Sequence, residues 1–394
     1  MTKCKTYRLG ELIEKVIDNR GKSPQTSDIH YQPLIEINAL GNKEVDYSAV
    51  RKYVDKDIYD TWFRSGHPKK GDILFSTVGT IGIASYMSSD LGCIAQNIIA
   101  LRTNELCESE YLYYYLISEK TRAELLNLDI GGVQPSIKVP HLLNIKLSLP
   151  SLSEQKRIAG ILSALDDKID LNRRINANLE AQAMALYKHW FVDFEFPNAE
   201  GKPYKSFGGK MIKINMVCVP EGWSIGRFGD IIQPKKGKNI TRAQVKEGII
   251  PVIAGGLTPS CYHNIGNTIP PVITISASGA NAGYVNIHYN NIWAADCSYI
   301  DASITPFVYW AYIFLKTNQK MIYHKQQGCA QPHIYPSHLM ELNCYVPPIH
   351  LLNMFDITVR NLYLEVSKNI QEIQILSTLR DTLLPKLLNG DIRV

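Results

Sequence analysis

The sequence predicts an α+β protein: two β-rich domains separated by a pair of long coiled-coil helices, arranged as an internal pseudo-two-fold repeat. Three observations predict it. First, residues 151–190 place Ile158, Leu162, Leu165, Ile169, Asn172, Asn176, Leu179, Ala183, Leu186 and Trp190 at alternating steps of four and three. That is the seam of a helix packing along another helix. Second, Phe355, Val359, Leu362, Val366, Asn369, Ile373, Leu376, Arg380, Leu383 and Leu387 each lie 197 residues further on, one for one. Two long apolar stripes of equal phase are expected to bury each other, with an Asn at the same seam position in both, a device that fixes register. Third, short β-type motifs recur on either side of the first helix, the signature of a duplication.

In chain order, residues 1–150 read as the first variable domain. Residues 72–76 are a short β-branched run bounded by turn residues, as buried strands are. Residues 109–127 have helical spacing, with Ser109 at the N-cap position. Pro150 ends the preceding strand, and Ser151 with Glu154 forms a capping box that opens the central helix, 151–192. Residues 193–222, rich in Gly, Pro and Lys, read as a connector. The second variable domain spans 223–346, with a strand at 272–276 and a helix at 306–320. The C-terminal helix, 347–394, opens on Pro347-Pro-Ile-His350 and lacks the capping box.

The repeat can be indexed. Tyr7-Arg-Leu-Gly10 with Arg20-Gly-Lys22 resembles Trp223-Ser-Ile-Gly226 with Lys236-Gly-Lys238 at a separation of 216. Residues 71–79 match 271–279, and Ile94-Ala-Gln-Asn97 matches Ala294-Ala-Asp-Cys297, both at 200; Gln134-Pro-Ser-Ile137 matches Gln331-Pro-His-Ile334 at 197. The falling offset assigns the extra residues of the first copy to 38–70.

At 394 residues the chain holds two or three domains, and a net charge of +5 permits a nucleic-acid partner without requiring one. Eight scattered cysteines without metal-ligand spacing read as free thiols in a reducing cytosol, and no apolar run reaches membrane-spanning length, so a cytoplasmic protein is expected. There is no phosphate-binding G-x-x-x-x-G-K-[ST], no G-x-G-x-x-G and no H-x-x-x-H or H-E-x-x-H set. Glu154-Gln-Lys156 has the spacing of a nuclease carboxylate pair, but capping explains Glu154 better. Asp166, Asp167 and Asp170 beside Lys168 and Arg173 read as a solvated charged face. No catalytic residue and no metal site is expected.

The remaining candidates are small polar loops at matching places. Thr77, Gly79 and Thr80, and Ser278, Gly279 and Asn281, are expected to offer backbone N–H groups and hydroxyls to phosphate oxygens. Gly132 with Gln134, and Gly328 with Gln331, place an amide on a tight loop suited to adenine. Arg20, Lys22, Lys236 and Lys238 offer phosphate contacts.

The chain resembles the specificity subunit of a type I restriction-modification system. The resemblance is carried by Leu149-Pro-Ser-Leu-Ser-Glu-Gln-Lys-Arg-Ile158, Leu165-Asp-Asp-Lys-Ile-Asp170, Trp190-Phe-Val-Asp-Phe-Glu-Phe-Pro197 with Gly201-Lys-Pro-Tyr204, and Leu384-Pro-Lys-Leu-Leu-Asn-Gly390. It implies two target-recognition domains, each reading one half of a bipartite, asymmetric site in double-stranded DNA, and two antiparallel helices that set the spacer. It also implies partners: two modification subunits that bind S-adenosylmethionine and methylate adenine, docked on the helices, and restriction subunits using ATP and Mg2+. No cofactor is expected on this chain and no enzyme activity of its own. The alternative from the same class is a recognition subunit of a modification-only or combined system without a translocating partner. A coiled-coil scaffold carrying two protein-binding modules is the rival outside it.

Overall fold

A helix with one apolar stripe and a good cap continues until something stops it. In the computed structural model, which describes residues 4–127, 135–328 and 331–394, the first such helix runs without a break over Leu152–Phe191 and the second over Ile349–Leu388, 40 residues each. Ser151 Oγ accepts the Glu154 N–H (3.3 Å) at the start of the first. Its end is marked by Phe194 in the left-handed region (φ 62°). A non-glycine residue there costs on the order of 1 kcal/mol, and burial of the ring against Trp223 and Tyr345 offsets it. Pro385 falls in the last turn of the second helix, three residues before it ends, so its missing N–H removes one helical hydrogen bond where little helix remains to be disrupted.

The chain divides into two units, Met1–Leu171 with Glu372–Val394, and Asn172–Gln371. Each therefore contains part of both long helices. In the first unit Ile158, Leu162 and Ile169 are buried and Leu165, Leu376 and Leu383 half-buried, and Leu384 and Leu387 join Ile158 and Leu162 in the core. In the second, Asn172, Phe355, Val359, Val366 and Asn369 are buried, while Leu179, Leu186 and Leu362 are half-buried. Asn369 Nδ2 donates to Asn176 Oδ1 (2.8 Å), linking the helices at a polar seam position. Rising numbers on one helix meet falling numbers on the other, so the helices run antiparallel within each unit. Phe355 packs on Trp190 and Asn369 on Asn176 in the second unit; Glu372 meets Lys168 and Arg380 meets Asp166 in the first.

One of these contacts corrects the sequence reading. Asp166 does not sit on a solvated face. It is 6% exposed, accepts from the Tyr114 hydroxyl (2.7 Å), and pairs with Arg380 Nη1 (2.6 Å). Arg380 occupies a seam position, and a buried carboxylate one turn from the apolar stripe is what makes an arginine tolerable there. Asp167 pairs instead with Lys43 (2.7 Å).

Both units repeat one β topology. In the first, a four-stranded sheet has the order Ile13–Ile17, Ile98–Thr103, Ile73–Ser76, Ala84–Tyr86, and a three-stranded sheet the order Tyr53–Val54, Gln32–Ile35, Cys93–Ile94. In the second, the orders are Lys235–Lys236, Cys297–Asp301, Val272–Ser276, Val285–His288, and Cys261–His263, Ile250–Ile253, Trp293–Ala294. A terminal pair closes each unit: Lys5–Arg8 with Lys146–Leu149, and Ser224–Arg227 with Asn343–Val346. The first unit's extra residues between the strands Gln32–Ile35 and Ile73–Ser76 form two 3-10 turns and the helix Lys56–Thr61.

Register corrects three of the sequence matches. Leu9 donates its N–H to Ile145 O as Phe228 does to Leu342 O, so Gly10 corresponds to Gly229, not Gly226. Ile17 pairs with Ala100 where Lys235 pairs with Tyr299, so the place of Lys238 is that of Arg20, and the two Gly-centred basic triplets are not equivalent. Their glycines serve different needs: Gly21 takes φ +115° in a turn, whereas a Cβ on Gly237 would collide with Ala295 O. The loop before Cys297–Asp301 is one residue shorter than its counterpart, so Asn97 corresponds to Asp296, not Cys297: Thr77 and Ala277 donate their N–H groups to Asn97 O and Asp296 O.

The 109–127 segment is two helices, Ser109–Ile117 and Glu119–Leu126. Ser109 is the first helical residue, and Ser118 is the cap between them, its Oγ accepting from Thr121 N. Its counterpart divides likewise into Val308–Thr317 and Gln319–His324. The long helices supply side chains to the starts of these helices. Gln155 Oε1 accepts the Glu108 N–H (3.0 Å), and Asp356 Oδ1 accepts those of Tyr309 (2.8 Å) and Trp310 (3.1 Å). Residues 193–222 belong to the second unit: they carry the hairpin Met211–Ile214/Val217–Pro220, and Phe194, Phe196 and Val219 lie in that unit's core.

Burial pushes the Asp356 carboxyl up to about 6, against the pull of the Trp310 and Tyr309 N–H groups and Arg360. The folded chain then takes up this proton at higher pH than the unfolded chain, so the group's contribution to stability grows as pH falls and is lost as pH rises through about 6. Asp356→Asn keeps an acceptor and removes the charge. Wild type is expected to gain about 2–3 kcal/mol relative to this variant between pH 8 and pH 4, read from paired denaturant titrations; a gap independent of pH would refute the assignment. Arg380→Ala strips the counter-charge from buried Asp166 and is expected to cost about 2 kcal/mol, below the range for fully buried pairs because Arg380 is partly exposed. Replacing Asp166 by Asn in the same chain should recover part of that loss.

Candidate nucleic-acid interface

The strand Ile73–Ser76 and its counterpart Val272–Ser276 run into the two loops chosen from the sequence. Residues 71–80 and 271–280 share one burial pattern, buried through Thr77 and Ala277 and opening at Thr80 and Ala280. The backbone N–H groups do not form an anion cradle. Thr77 N donates to Asn97 O (3.0 Å), Gly79 N to Pro135 O (2.9 Å) and Gly82 N to Ser76 O (3.1 Å). In the second unit Ala277 N donates to Asp296 O (3.2 Å), Gly279 N to Pro332 O (3.1 Å) and Gly283 N to Ser276 O (2.8 Å). Buried backbone donors are taken by protein acceptors wherever the chain supplies them. The reading of the Thr77, Gly79 and Gly279 N–H groups as phosphate donors is therefore corrected: these residues, with Ala277, are pins.

What they pin is the other predicted loop. Ile137 N donates to Thr77 O and Ile334 N to Ala277 O, both 2.9 Å. With the Gly79–Pro135 and Gly279–Pro332 bonds, each Pro-x-Ile segment is bound to the loop after the strand. In the second unit Gln327 and His333 bond each other's backbone, leaving Gly328 and exposed Gln331 at the tip. Gly132 and Gln134 lie outside the described residues. The Ser278 hydroxyl is bound to the Asp296 carboxylate, and the Asn281 carbonyl accepts from Tyr284 N (2.9 Å). Thr80 stays exposed, but its carbonyl is held by Ser76 Oγ (2.6 Å).

The basic candidates differ in kind. Lys22, Lys236 and Lys238 are exposed, and Lys236 and Lys238 flank a backbone held by Gly237 N to Cys297 O (2.8 Å), Lys238 N to Ala294 O (2.9 Å) and Trp293 Nε1 to Lys238 O (2.7 Å). Arg20 is half-buried and clamped by Asp18, and its Nη1 points at Thr77 Oγ1 (3.4 Å). Burial raises the Asp18 carboxyl, but the Arg20 side-chain and backbone hydrogen bonds outweigh it and hold that carboxyl below its ordinary value. The sequence reading missed Asp18, although Asp-Asn-Arg-Gly is a turn signal in which Asp accepts from the N–H two residues on. It also missed the cleft that begins next to this turn, about 560 Å3 in volume and lined in part by Ser23, Thr26, Glu36, Asn38, Lys52 and Gln96. Those residues are scattered in sequence, and only folding gathers them.

Among the described residues no group of three or more His, Cys, Asp or Glu side chains is placed to hold a metal, and no helix is long and apolar enough to cross a membrane.

Two units of one topology, each with exposed cations on a hydrogen-bonded frame, define a duplicated β-rich protein. Residues 1–181 match the family described as the type I restriction modification DNA specificity domain. The chain is 28% identical to the type I restriction enzyme MjaIX specificity subunit of Methanocaldococcus jannaschii, over 95% of this chain and 90% of that one. It is 23% identical to the HindI specificity subunit of Haemophilus influenzae, over 82% and 87%. The fold is that of the crystal structure of the S subunit of the type I restriction-modification system from M. genitalium (TM-score 0.61, 18% identity, covering 98% and 96%). The first 181 residues thus match the DNA specificity domain of type I restriction-modification systems, and most of the chain is similar to the specificity subunits of those systems.

If Lys236 and Lys238 contact phosphates, Lys236→Ala with Lys238→Ala should weaken binding by a similar factor on every DNA sequence. The slope of log affinity against log salt should become shallower by roughly two. A loss confined to one sequence, in anisotropy titrations across a salt series, would assign them to base readout instead.

Proposed function

We propose that the two units each read one half of a bipartite, asymmetric target in double-stranded DNA, and that the length of the paired long helices sets the unspecified spacer between the halves. The observation that carries this reading is the duplication itself: one pairing scheme is kept while the displayed residues diverge. Arg20 stands where Lys238 does, and the first unit has additional residues between equivalent strands. Equivalent frames with unlike surfaces suit two unlike half-sites.

In this reading the chain contributes recognition and no catalysis. Two modification subunits dock on it, with S-adenosylmethionine held by them, and restriction subunits bring ATP and Mg2+. The charged stretch Asp166–Lys168 with Arg173–Arg174 is one candidate docking surface on the first long helix. With Asp166 buried and Lys168 paired to Glu372 (3.3 Å), exposed apolar positions on the long helices are better candidates. Leu171 and Ile375 in the first unit, 46% and 67% exposed, and Ile357 in the second, 62% exposed, are examples.

Inserting one heptad into both helices lengthens each by about 10 Å, the rise of about three base pairs. Methylation-motif sequencing of DNA from cells expressing the altered chain with its partners should show the same half-sites separated by about three more base pairs. Altered half-sites with an unchanged spacer would overturn the spacer role.

A further inference from the structure

Arg20 differs from the other basic candidates in having its geometry decided before any ligand arrives. Asp18 accepts from Arg20 Nε through Oδ1 (2.8 Å), from Nη2 through Oδ2 (2.7 Å), and from the Arg20 backbone N–H through Oδ1 (3.1 Å). Thr77 Oγ1 lies 3.4 Å from Nη1. The turn itself is bolted down. Asn19, 8% exposed, donates to Gly66 O (3.0 Å) and accepts from Ser65 N (2.9 Å), while Ser65 Oγ donates to Asp18 O (2.7 Å). A guanidinium has five N–H donors in one plane. Asp18 uses the Nε/Nη2 edge and Thr77 faces one Nη1 donor, which leaves one N–H on each terminal nitrogen for a ligand. The side chain remains 25% exposed at the protein surface.

The carboxylate decides what such a fork is good for. A phosphate approaching the pair meets one positive and one negative charge a few ångströms apart, so most of the Coulomb attraction cancels. Directional hydrogen bonding does not cancel. Two parallel donors match guanine O6 and N7 in the major groove, and the ordering entropy has already been spent in folding. The equivalent place in the second unit holds Lys238, with Lys236 where Asp18 stands; a free ammonium there suits phosphate.

We propose that Arg20 is a specificity-determining residue of the first unit, reading the O6/N7 edge of one guanine in its half-site, with Asp18 as the positioning residue that aims it. This rests on the reading of the chain as a two-half DNA reader.

The test uses the full chain assembled with its modification subunits. The first unit's half-site is the one that changes when residues 1–150 are exchanged for those of another family member. Each guanine in it is replaced singly by 7-deazaguanine, which removes N7. At one position the wild type should lose roughly 5- to 150-fold in affinity, and Arg20→Lys should bind both duplexes alike, at the weakened level. Asp18→Asn should shrink the discrimination at that position without weakening binding to unrelated DNA, which a merely structural role would not do. The wild-type titration reads the contact without relying on any variant. The inference is overturned by a first half-site lacking a G·C pair, by wild type tolerating every 7-deaza substitution, or by an Arg20→Lys loss spread evenly over all sequences. Wild type that shows no sequence-dependent binding at all would overturn the two-half reading itself.

Discussion

A forty-residue helix with one apolar stripe has no stable life in water until the stripe is covered, and this constraint organises the rest of the chain. Each unit covers its share by bringing a segment of the second long helix back antiparallel onto the first. The polar exceptions in the seam do the specifying. Apolar contacts tolerate a slip by a turn; a part-buried Asn369–Asn176 hydrogen bond and a buried Asp166 that must meet Arg380 and Tyr114 do not. The same helices cap helices of the β-rich parts through Gln155 and Asp356. Helix pairing and domain placement within a unit are thus one set of interactions.

On that frame the two units keep their internal hydrogen bonds and differ in what they display. The bonds from residues 77 and 79 to 97, 135 and 137 recur from 277 and 279 to 296, 332 and 334. Holding a loop from below leaves its outward side chains free to vary at little cost in stability, which is how recognition surfaces are usually carried. Where one unit has a lysine pair on an exposed strand end, the other has an arginine clamped by an aspartate on a bolted turn. The first arrangement favours affinity that any DNA would share; the second favours discrimination.

Much of this was legible in the residues, and the failures have a common cause. The heptads placed the first helix within one residue at each end, whereas the second, expected over 347–394, stops at Leu388; the 197 and 200 separations matched the observed pairings at Pro-x-Ile and at residues 71–79. The match at 216 failed because it paired glycines by type, whereas strand register aligns Gly10 with Gly229 and Arg20 with Lys238. The anion-cradle reading failed because the acceptors for Gly79 and Gly279 lie more than fifty residues away in sequence. The break at Ser118 was masked by continuous helical spacing on either side of a residue that both ends one helix and caps the next.

The sequence by itself determined the long helices, their common phase and the duplication, because periodicity and repetition are properties of a chain read along its own length. Asp18 beside Arg20 also belongs to that local class, two residues apart and open to a turn argument. Only the tertiary structure decided that Asp166 is buried, that the Thr77 and Ser278 loops are pins, and which basic residues stand in equivalent places. Each of those depends on which distant acceptor or counter-charge folding brings to a group that must be satisfied once water is gone.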